Sequence, residues 1–109
     1  MITAITNFKL PKPITEEDAR RIFLGTAPKY QNVAGLQRKY YILSQDGTSV
    51  GGVYLWNSRA DAEALFNEDW RIFVQETYGV DPSVIYFDTP VVVDNLTQEI
   101  LSDEQTGRL

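Results

Sequence analysis

The sequence predicts an α+β fold, with a four-stranded antiparallel sheet and two helices packed on one of its faces. Three observations predict this class: four segments rich in β-branched and aromatic residues, two capping motifs that each precede an amphipathic segment, and one Asp-Gly turn. The elements follow the order strand, helix, strand, strand, helix, strand. This βαββαβ order is typical of the ferredoxin-like fold.

The chain length fits one folding unit. Its 109 residues, 43% of them hydrophobic and 23% charged, are typical of a single globular domain with one core. We assign residues 1–95 to the α+β domain and residues 96–109 to a C-terminal tail. The pattern of the tail fits either a short docking helix or a frayed end.

The composition excludes several kinds of chemistry. With no cysteine and no histidine, the chain lacks disulfides, thiolate nucleophiles and the commonest metal ligand and base, so we expect no metal site. The net charge of -5 argues against nucleic acid or an anionic membrane as partner. The N-terminus lacks a signal-peptide pattern and no apolar run approaches a membrane span, so we expect a cytoplasmic protein.

The first strand and first helix are bounded by clear signals. Residues 2–10 alternate as a strand, and Pro11 ends it because proline cannot donate to a sheet. Thr15 begins the helix as a capping residue. The apolar stripe continues to Tyr30, but Pro28 should kink the helix or end it one turn early.

The second and third strands form a hairpin. Residues 36–44 precede the Asp46-Gly47 turn and residues 49–57 follow it. Arg38 and Lys39 place two charges in an aromatic strand. They either decorate a sheet edge or reach into a cleft, and we favour the edge because exposed charge is the usual case.

The second helix and fourth strand complete the pattern. Ser58 caps a helix that ends at Gly79, and residues 67–69 are a possible break within it. Residues 83–94 read as a final strand, in which Pro90 implies an edge position or a bulge. All four strands carry apolar residues on both faces, so we expect the second sheet face to be buried against another copy in a homodimer.

The third strand is the most informative segment for function. Gly51 and Gly52 suggest a bulge or a close approach by backbone or ligand. Tyr54 and Trp56 then share one face and end at a helix cap. These two rings either line a pocket or pack in the core.

Four segments carry a resemblance to a known family. They are Gly35-Leu36 with Lys39, Gly51–Ser58 (Gly-Gly-Val-Tyr-Leu-Trp-Asn-Ser), Tyr78-Gly79-Val80 and Phe87–Asp94. Together they resemble the YdhR-like mono-oxygenase family of the dimeric α+β barrel superfamily. The likeness runs from the first strand to about Asp94, and the tail lies outside it.

The resemblance implies a homodimer formed sheet against sheet, with a pocket between the sheet and the helices. It also implies a cofactor-independent mono-oxygenase acting on a small hydroxyaromatic or quinol-like substrate. In such a reaction the substrate loses a proton and supplies the electrons, while the protein favours the anion and excludes water. Some members use a pocket histidine, so here another polar residue must serve or the substrate must already be ionised.

The pocket candidates are aromatic and polar residues around the third strand. Lys39 could stabilise an anion, and Asp88 could act as a base if burial raised its pKa, or else pair with Lys39 or Arg38. Core packing is the alternative role of each aromatic candidate. The candidates are Lys39, Tyr41, Tyr54, Trp56, Asn57, Phe66, Trp70, Tyr86 and Asp88.

A non-catalytic role is the main alternative. The lack of histidine, cysteine and a convincing acid–base pair favours a small-molecule-binding or stress-associated dimer that holds a small aromatic ligand. A third option is an isomerase or lyase in the same pocket, because the fold also hosts such reactions.

Overall fold

A computed structural model describes residues 1–103 and confirms the predicted α+β class. Its main sheet has four strands in the order β2-β3-β1-β4, and each neighbouring pair is antiparallel. Two of these strands, β2 and β4, therefore form the edges, and the edge position of β4 is one of the two alternatives that Pro90 implied. The strands are β1 (Ile2–Lys9), β2 (Leu36–Leu43), β3 (Ser49–Trp56) and β4 (Val84–Asp88).

The predicted breaks in both helices are confirmed. Helix α1 (Glu16–Thr26) gives way to a 3₁₀ turn (Ala27–Tyr30) at Pro28. The second helical segment is split into α2 (Arg59–Leu65) and α3 (Glu68–Tyr78). Within residues 1–103, no helix is long and apolar enough to cross a membrane.

Side-chain caps fix where the helices begin and end. The Thr15 and Ser58 hydroxyls each accept a hydrogen bond at 3.1 Å from the backbone amide three residues later. Asn67 caps the start of α3, where its side-chain oxygen accepts a hydrogen bond from the Trp70 backbone amide at 2.9 Å. Gly79 ends α3 with φ +78°, a left-handed conformation that favours glycine.

The sheet has an inner face, which packs against the helices, and an opposite outer face. Across β1 and β3, Ile2 lies opposite Trp56 and Ala4 opposite Tyr54, so these residues share the inner face. Ala4, Tyr54 and Trp56 are at most 2% exposed and form the centre of the core. The predicted common face of Tyr54 and Trp56 is therefore the buried one.

A bulge in β2 changes which side chains face the helices. The register shifts between Leu36 and Arg38, so that Leu36 lies opposite Trp56 on the inner face while Arg38 lies opposite Leu55 on the outer face. Strict alternation along the strand would place Leu36 and Arg38 on one face, and the bulge separates them. The extra residue lets β2 direct both Leu36 and Lys39 to the same side, where each is partly buried.

The end of the described chain corrects two predictions. The single strand over residues 83–94 is wrong, because the chain breaks after Asp88 and resumes as β5 (Val91–Asp94) in a separate two-stranded sheet with β6 (Glu99–Ser102). Residues 99–102 are thus neither a docking helix nor a frayed end. The β5–β6 hairpin spans the predicted boundary at residue 95, and residues 104–109 lie outside the described part.

The β5–β6 hairpin crosses the outer face at one end of the sheet. It leaves the sheet after the edge strand β4, yet Asp94 in β5 forms an ion pair with Arg38 of β2, the opposite edge, at 3.0 Å. The Met1 amino group pairs with Asp103 beyond β6. Ion pairs near both ends therefore hold the hairpin across the sheet.

Candidate functional site

A small chamber lies between the inner face, the 3₁₀ turn and α3, and the Lys39 side chain reaches into it. The Lys39 Nζ atom is 3.3 Å from the ring centroid of Tyr30, 3.7 Å from that of Tyr41 and 4.8 Å from that of Tyr54. We call these three rings the tyrosine cage. Aromatic faces attract a cation, so the cage holds the amine in place.

The prediction that Lys39 decorates an exposed edge is wrong, although β2 is an edge strand. Arg38 takes the exposed position and Lys39 turns inward beneath the helices. No carboxylate lies among the residues that line the chamber. Burial lowers the pKa of Lys39 to about 7, while the ring faces favour the charged form. Ammonium and amine are therefore both populated near neutral pH.

Hydrogen bonds orient the phenols of the cage. Trp70 Nε1 donates to the Tyr30 hydroxyl at 3.2 Å, and the hydroxyls of Tyr41 and Thr26 are 2.7 Å apart. Burial raises the pKa of Tyr30, Tyr41 and Tyr54. The phenols stay neutral at pH 7 and can donate hydrogen bonds to a bound anion.

The paired glycines make room for this arrangement, which confirms the predicted close approach. A Cβ atom at Gly52 would lie 2.8 Å from the Tyr54 ring and 3.2 Å from the Lys39 Cε atom. A Cβ atom at Gly51 would lie 1.8 Å from the Thr6 carbonyl oxygen. Gly52 thus serves the site, whereas Gly51 serves the pairing of β1 with β3.

The chamber itself is small, but a larger groove adjoins it. The chamber volume is about 20 Å³, enough for one water molecule. The groove, of about 640 Å³, lies between α1 and the β2–β3 turn. Tyr41 lines both spaces, and its ring stacks on Phe23 at 4.6 Å. The Tyr41 side chain therefore stands between the groove and Lys39.

The structure brings together four of the nine predicted site residues and places two more behind them. Trp56 is fully buried and does not line the chamber. The Phe66 ring lies 4.9 Å from Tyr54, 5.7 Å from Trp56 and 4.7 Å from Trp70, so it supports the chamber from the core. The four residues that line the chamber are Lys39, Tyr41, Tyr54 and Trp70.

The other three candidates lie outside the chamber. The Asn57 side chain accepts a hydrogen bond from Gln37 at 2.8 Å, and the Tyr86 ring lies under the Arg59 guanidinium at 3.7 Å. Asp88 is exposed at the end of β4 and pairs with neither Lys39 nor Arg38. Asp88 therefore lacks the burial that it would need to act as a base.

Sequence reasoning missed several chamber residues, among them Thr26, Tyr30 and Tyr78. Tyr30 follows the helix-ending Pro28, so its apolar spacing indicated packing rather than a site. Tyr78 lies in the last turn of α3, where burial raises its pKa to about 12. The available signal was the tyrosine content, six in 109 residues. Among residues 1–103, no three Asp or Glu side chains converge to hold a metal ion.

Comparisons with known proteins establish the fold. No protein-family model and no curated protein matches the sequence. Three solved structures illustrate the structural likeness. A monooxygenase from Streptomyces coelicolor, solved with the ligand nanaomycin D, is 19% identical, with a TM-score of 0.62 over 81% of this chain and 86% of its own. SnoaB, a cofactor-independent oxygenase from Streptomyces nogalater, is 13% identical, with a TM-score of 0.61 over 86% and 97%. An antibiotic biosynthesis monooxygenase is 15% identical, with a TM-score of 0.60 over 82% and 98%.

Proposed function

We propose that this protein is a cofactor-independent mono-oxygenase acting on a small hydroxyaromatic or quinol-like substrate between the sheet and the helices. The observation that carries the proposal is the Lys39 side chain, enclosed by three aromatic faces and free of any carboxylate partner among the chamber residues. The oxygenases among proteins of the same fold support it.

In the proposed reaction the substrate provides the electrons. Its hydroxyl group ionises, and the Lys39 ammonium stabilises the resulting anion at the position where negative charge develops. The neutral phenols of Tyr30 and Tyr41 add hydrogen-bond donors, and the surrounding rings exclude water. One atom of dioxygen enters the substrate and the other leaves as water, with the substrate as the only reductant.

Substrate admission requires Tyr41 to move, because the chamber volume of about 20 Å³ is far below that of a ligand site. The groove of about 640 Å³ on the other side of Tyr41 has the volume for an aromatic substrate. We infer that the substrate approaches through this groove and displaces the Tyr41 ring from Phe23 and Thr26.

Oxygen consumption tests the proposal. Metal-stripped protein should consume oxygen in a saturable way with at least one member of a panel of quinols and naphthols. Lys39→Met should lower kcat/KM at least tenfold, because an anion then lacks its charge partner. Lys12→Met, which removes an exposed lysine, is the matched control and should leave activity unchanged. Absence of uptake across the panel would contradict the oxygenase function.

A non-catalytic binding role is the second candidate, and the small, aromatic-filled chamber favours it. Such a protein, a small-molecule-binding or stress-associated dimer, would capture an aromatic ligand without transforming it. Isothermal titration calorimetry would then detect saturable binding of a panel compound under conditions in which no oxygen is consumed and the compound is recovered intact.

We also propose a homodimer that packs through the outer face. Tyr40, Ile85 and Phe87 are 54%, 57% and 51% exposed there, and a second copy packed on this face would bury them. Phe87→Arg should convert the dimer to a monomer in sedimentation velocity experiments. Leu24→Arg, at an equally exposed position on α1, should leave the dimer intact. An unchanged Phe87→Arg dimer would place the interface elsewhere.

Two further assignments rest on sequence features. We propose membership in the YdhR-like family on the motif at Gly51–Ser58, and a cytoplasmic location, with which the absence of cysteine is consistent.

A further inference from the structure

Lys39 differs from the other lysines of the chain in its surroundings. Lys9, Lys12 and Lys29 are exposed, whereas Lys39 lies among the rings of the tyrosine cage. A lysine is rarely enclosed without a carboxylate partner, because the ammonium loses its hydration. Among residues 1–103, no carboxylate pairs with Lys39. The structure thus encloses an amine without a fixed negative charge to keep it protonated.

The groups that face Lys39 from the surrounding elements carry no negative charge that would keep its amine protonated. They are the phenols of Tyr30 in the 3₁₀ turn, Tyr41 in β2, Tyr54 in β3 and Tyr78 in α3. Burial raises the pKa of all four, so none supplies a negative charge near neutral pH. An enclosed lysine of this kind has the surroundings in which an amine acts as a nucleophile.

We propose that Lys39 is a carbonyl-reactive amine that condenses with an aromatic aldehyde to form an imine within the tyrosine cage. The Nζ lone pair attacks the carbonyl carbon, and the carbonyl π electrons move to oxygen to give a carbinolamine. The two Nζ hydrogens leave with that oxygen as one water molecule while the C=N bond forms. No electron donor or acceptor is needed, so the reaction is independent of the proposed oxygenase activity.

The space around Lys39 favours an aromatic aldehyde. Tyr41 contacts Lys39 on one side and lines the groove of about 640 Å³ on the other. The ring of an aromatic aldehyde in the groove could stack on Phe23 in place of the Tyr41 ring. The carbonyl carbon of the aldehyde would then be directed toward the Lys39 Nζ atom. The chamber, with room for one water molecule, can hold the water that the condensation releases.

Reductive trapping tests the proposal without any assay of oxygen. The folded wild-type protein is incubated near pH 7 with limiting benzaldehyde and sodium cyanoborohydride, which converts the imine to a stable benzylamine. Peptide mass spectrometry then measures benzylation at each lysine, with the Met1 amine scored separately. We expect Lys39 to be benzylated at least tenfold faster than Lys9, Lys12 or Lys29.

Two controls make the result specific. In urea the preference for Lys39 should vanish, because it depends on the folded surroundings. Lys39→Arg, shown by circular dichroism to be folded, should lose the fast benzylation and keep the slow reaction at the exposed lysines. Benzylation of Lys39 at or below the rate of the exposed lysines in the folded wild-type protein would overturn the proposal.

Discussion

The inner and outer faces of the sheet contrast in how far this chain covers them. The inner face buries Tyr54 and Trp56 almost completely and encloses the Lys39 amine. The outer face leaves Ile85 and Phe87 half-exposed beside a hairpin held by ion pairs. The same four strands thus carry a packed core with a small chamber on one side and exposed apolar residues on the other.

Truncating Trp56 should break the inner face most severely. Trp56→Ala removes a fully buried ring that packs on Tyr54 and Phe66, and we expect a loss of about 3–5 kcal/mol in the free energy of unfolding. Urea denaturation followed by circular dichroism measures it. Phe87→Ala on the outer face is the control and should cost under about 1 kcal/mol in dilute protein. Equal losses in the free energy of unfolding for the two variants would mean that the two faces contribute equally to stability, contrary to this prediction.

The pH dependence of stability should reveal the Lys39 amine. Burial lowers its pKa to about 7, and an unfolded lysine titrates near 10.4. Between these values the unfolded chain binds more protons, so Lys39 destabilises the fold below pH 7 and this penalty is relieved as the pH rises toward about 10. Relative to Lys39→Met, the wild-type protein should gain about 2–4 kcal/mol across that window.

Urea titrations of both proteins at several pH values measure this gain. Above about pH 10 the buried tyrosines reverse the trend, because their raised pKa favours the unfolded state there. Lys12→Met, which removes an exposed lysine, is the matched control for the substitution itself. If the difference in free energy of unfolding between wild type and Lys39→Met did not change with pH, Lys39 would stay protonated in the folded protein throughout this window.

Filling the space at Gly52 should sharpen the comparison by disturbing only the chamber. Gly52→Ala places a Cβ atom 2.8 Å from the Tyr54 ring and 3.2 Å from Lys39, and we expect a loss of about 1–3 kcal/mol in thermal or urea unfolding. Gly25→Ala in α1 meets no atom within 4 Å and should stabilise the protein by up to about 1 kcal/mol. A neutral Gly52→Ala variant would show that the cage can relax.

Releasing the hairpin on the outer face should have the smallest effect. Arg38→Ala removes the ion pair with Asp94, and we expect only a small loss of stability because solvent screens the pair. Amide hydrogen exchange should accelerate in β5 and β6 while the inner-face strands keep their protection. Arg20→Ala, which removes the exposed pair with Glu16, should leave exchange in the hairpin unchanged. Uniform acceleration would indicate that the hairpin unfolds only with the whole domain.

Local chemistry made most of the fold predictable. Thr15, Ser58 and Gly79 act through bonds and backbone angles set within a few residues, so their motifs alone locate the helix ends. The hairpin after Asp94 was missed for the opposite reason. Its turn contains neither Gly nor Pro and uses Gln98 at φ +59°, an uncommon conformation for that residue. Leu96 and Ile100, four residues apart, fit helical spacing equally well.

The site was less predictable because it depends on register and on distant segments. Alternation along β2 places Lys39 on one face with Tyr41, yet the choice between solvent and chamber rests on where the helices lie. Tyr30 reaches the cage only because the chain forms a 3₁₀ turn at Pro28. The sequence indicated the end of a helix there, but not that the turn would form one side of the chamber. Asp88 had the right residue type, but the sheet ends beside it and leaves it in solvent.

The two tryptophans supply a pair of built-in optical reporters. Among residues 1–103, the Trp56 indole nitrogen finds no hydrogen-bond acceptor, whereas the Trp70 nitrogen donates to Tyr30 beside the chamber. Indole emission shifts to the red with hydrogen bonding and polarity, so the two residues should emit at separable wavelengths. The bluer component would follow the integrity of the core, and the redder component would follow a ligand entering the chamber. One spectrum could therefore distinguish occupancy from unfolding.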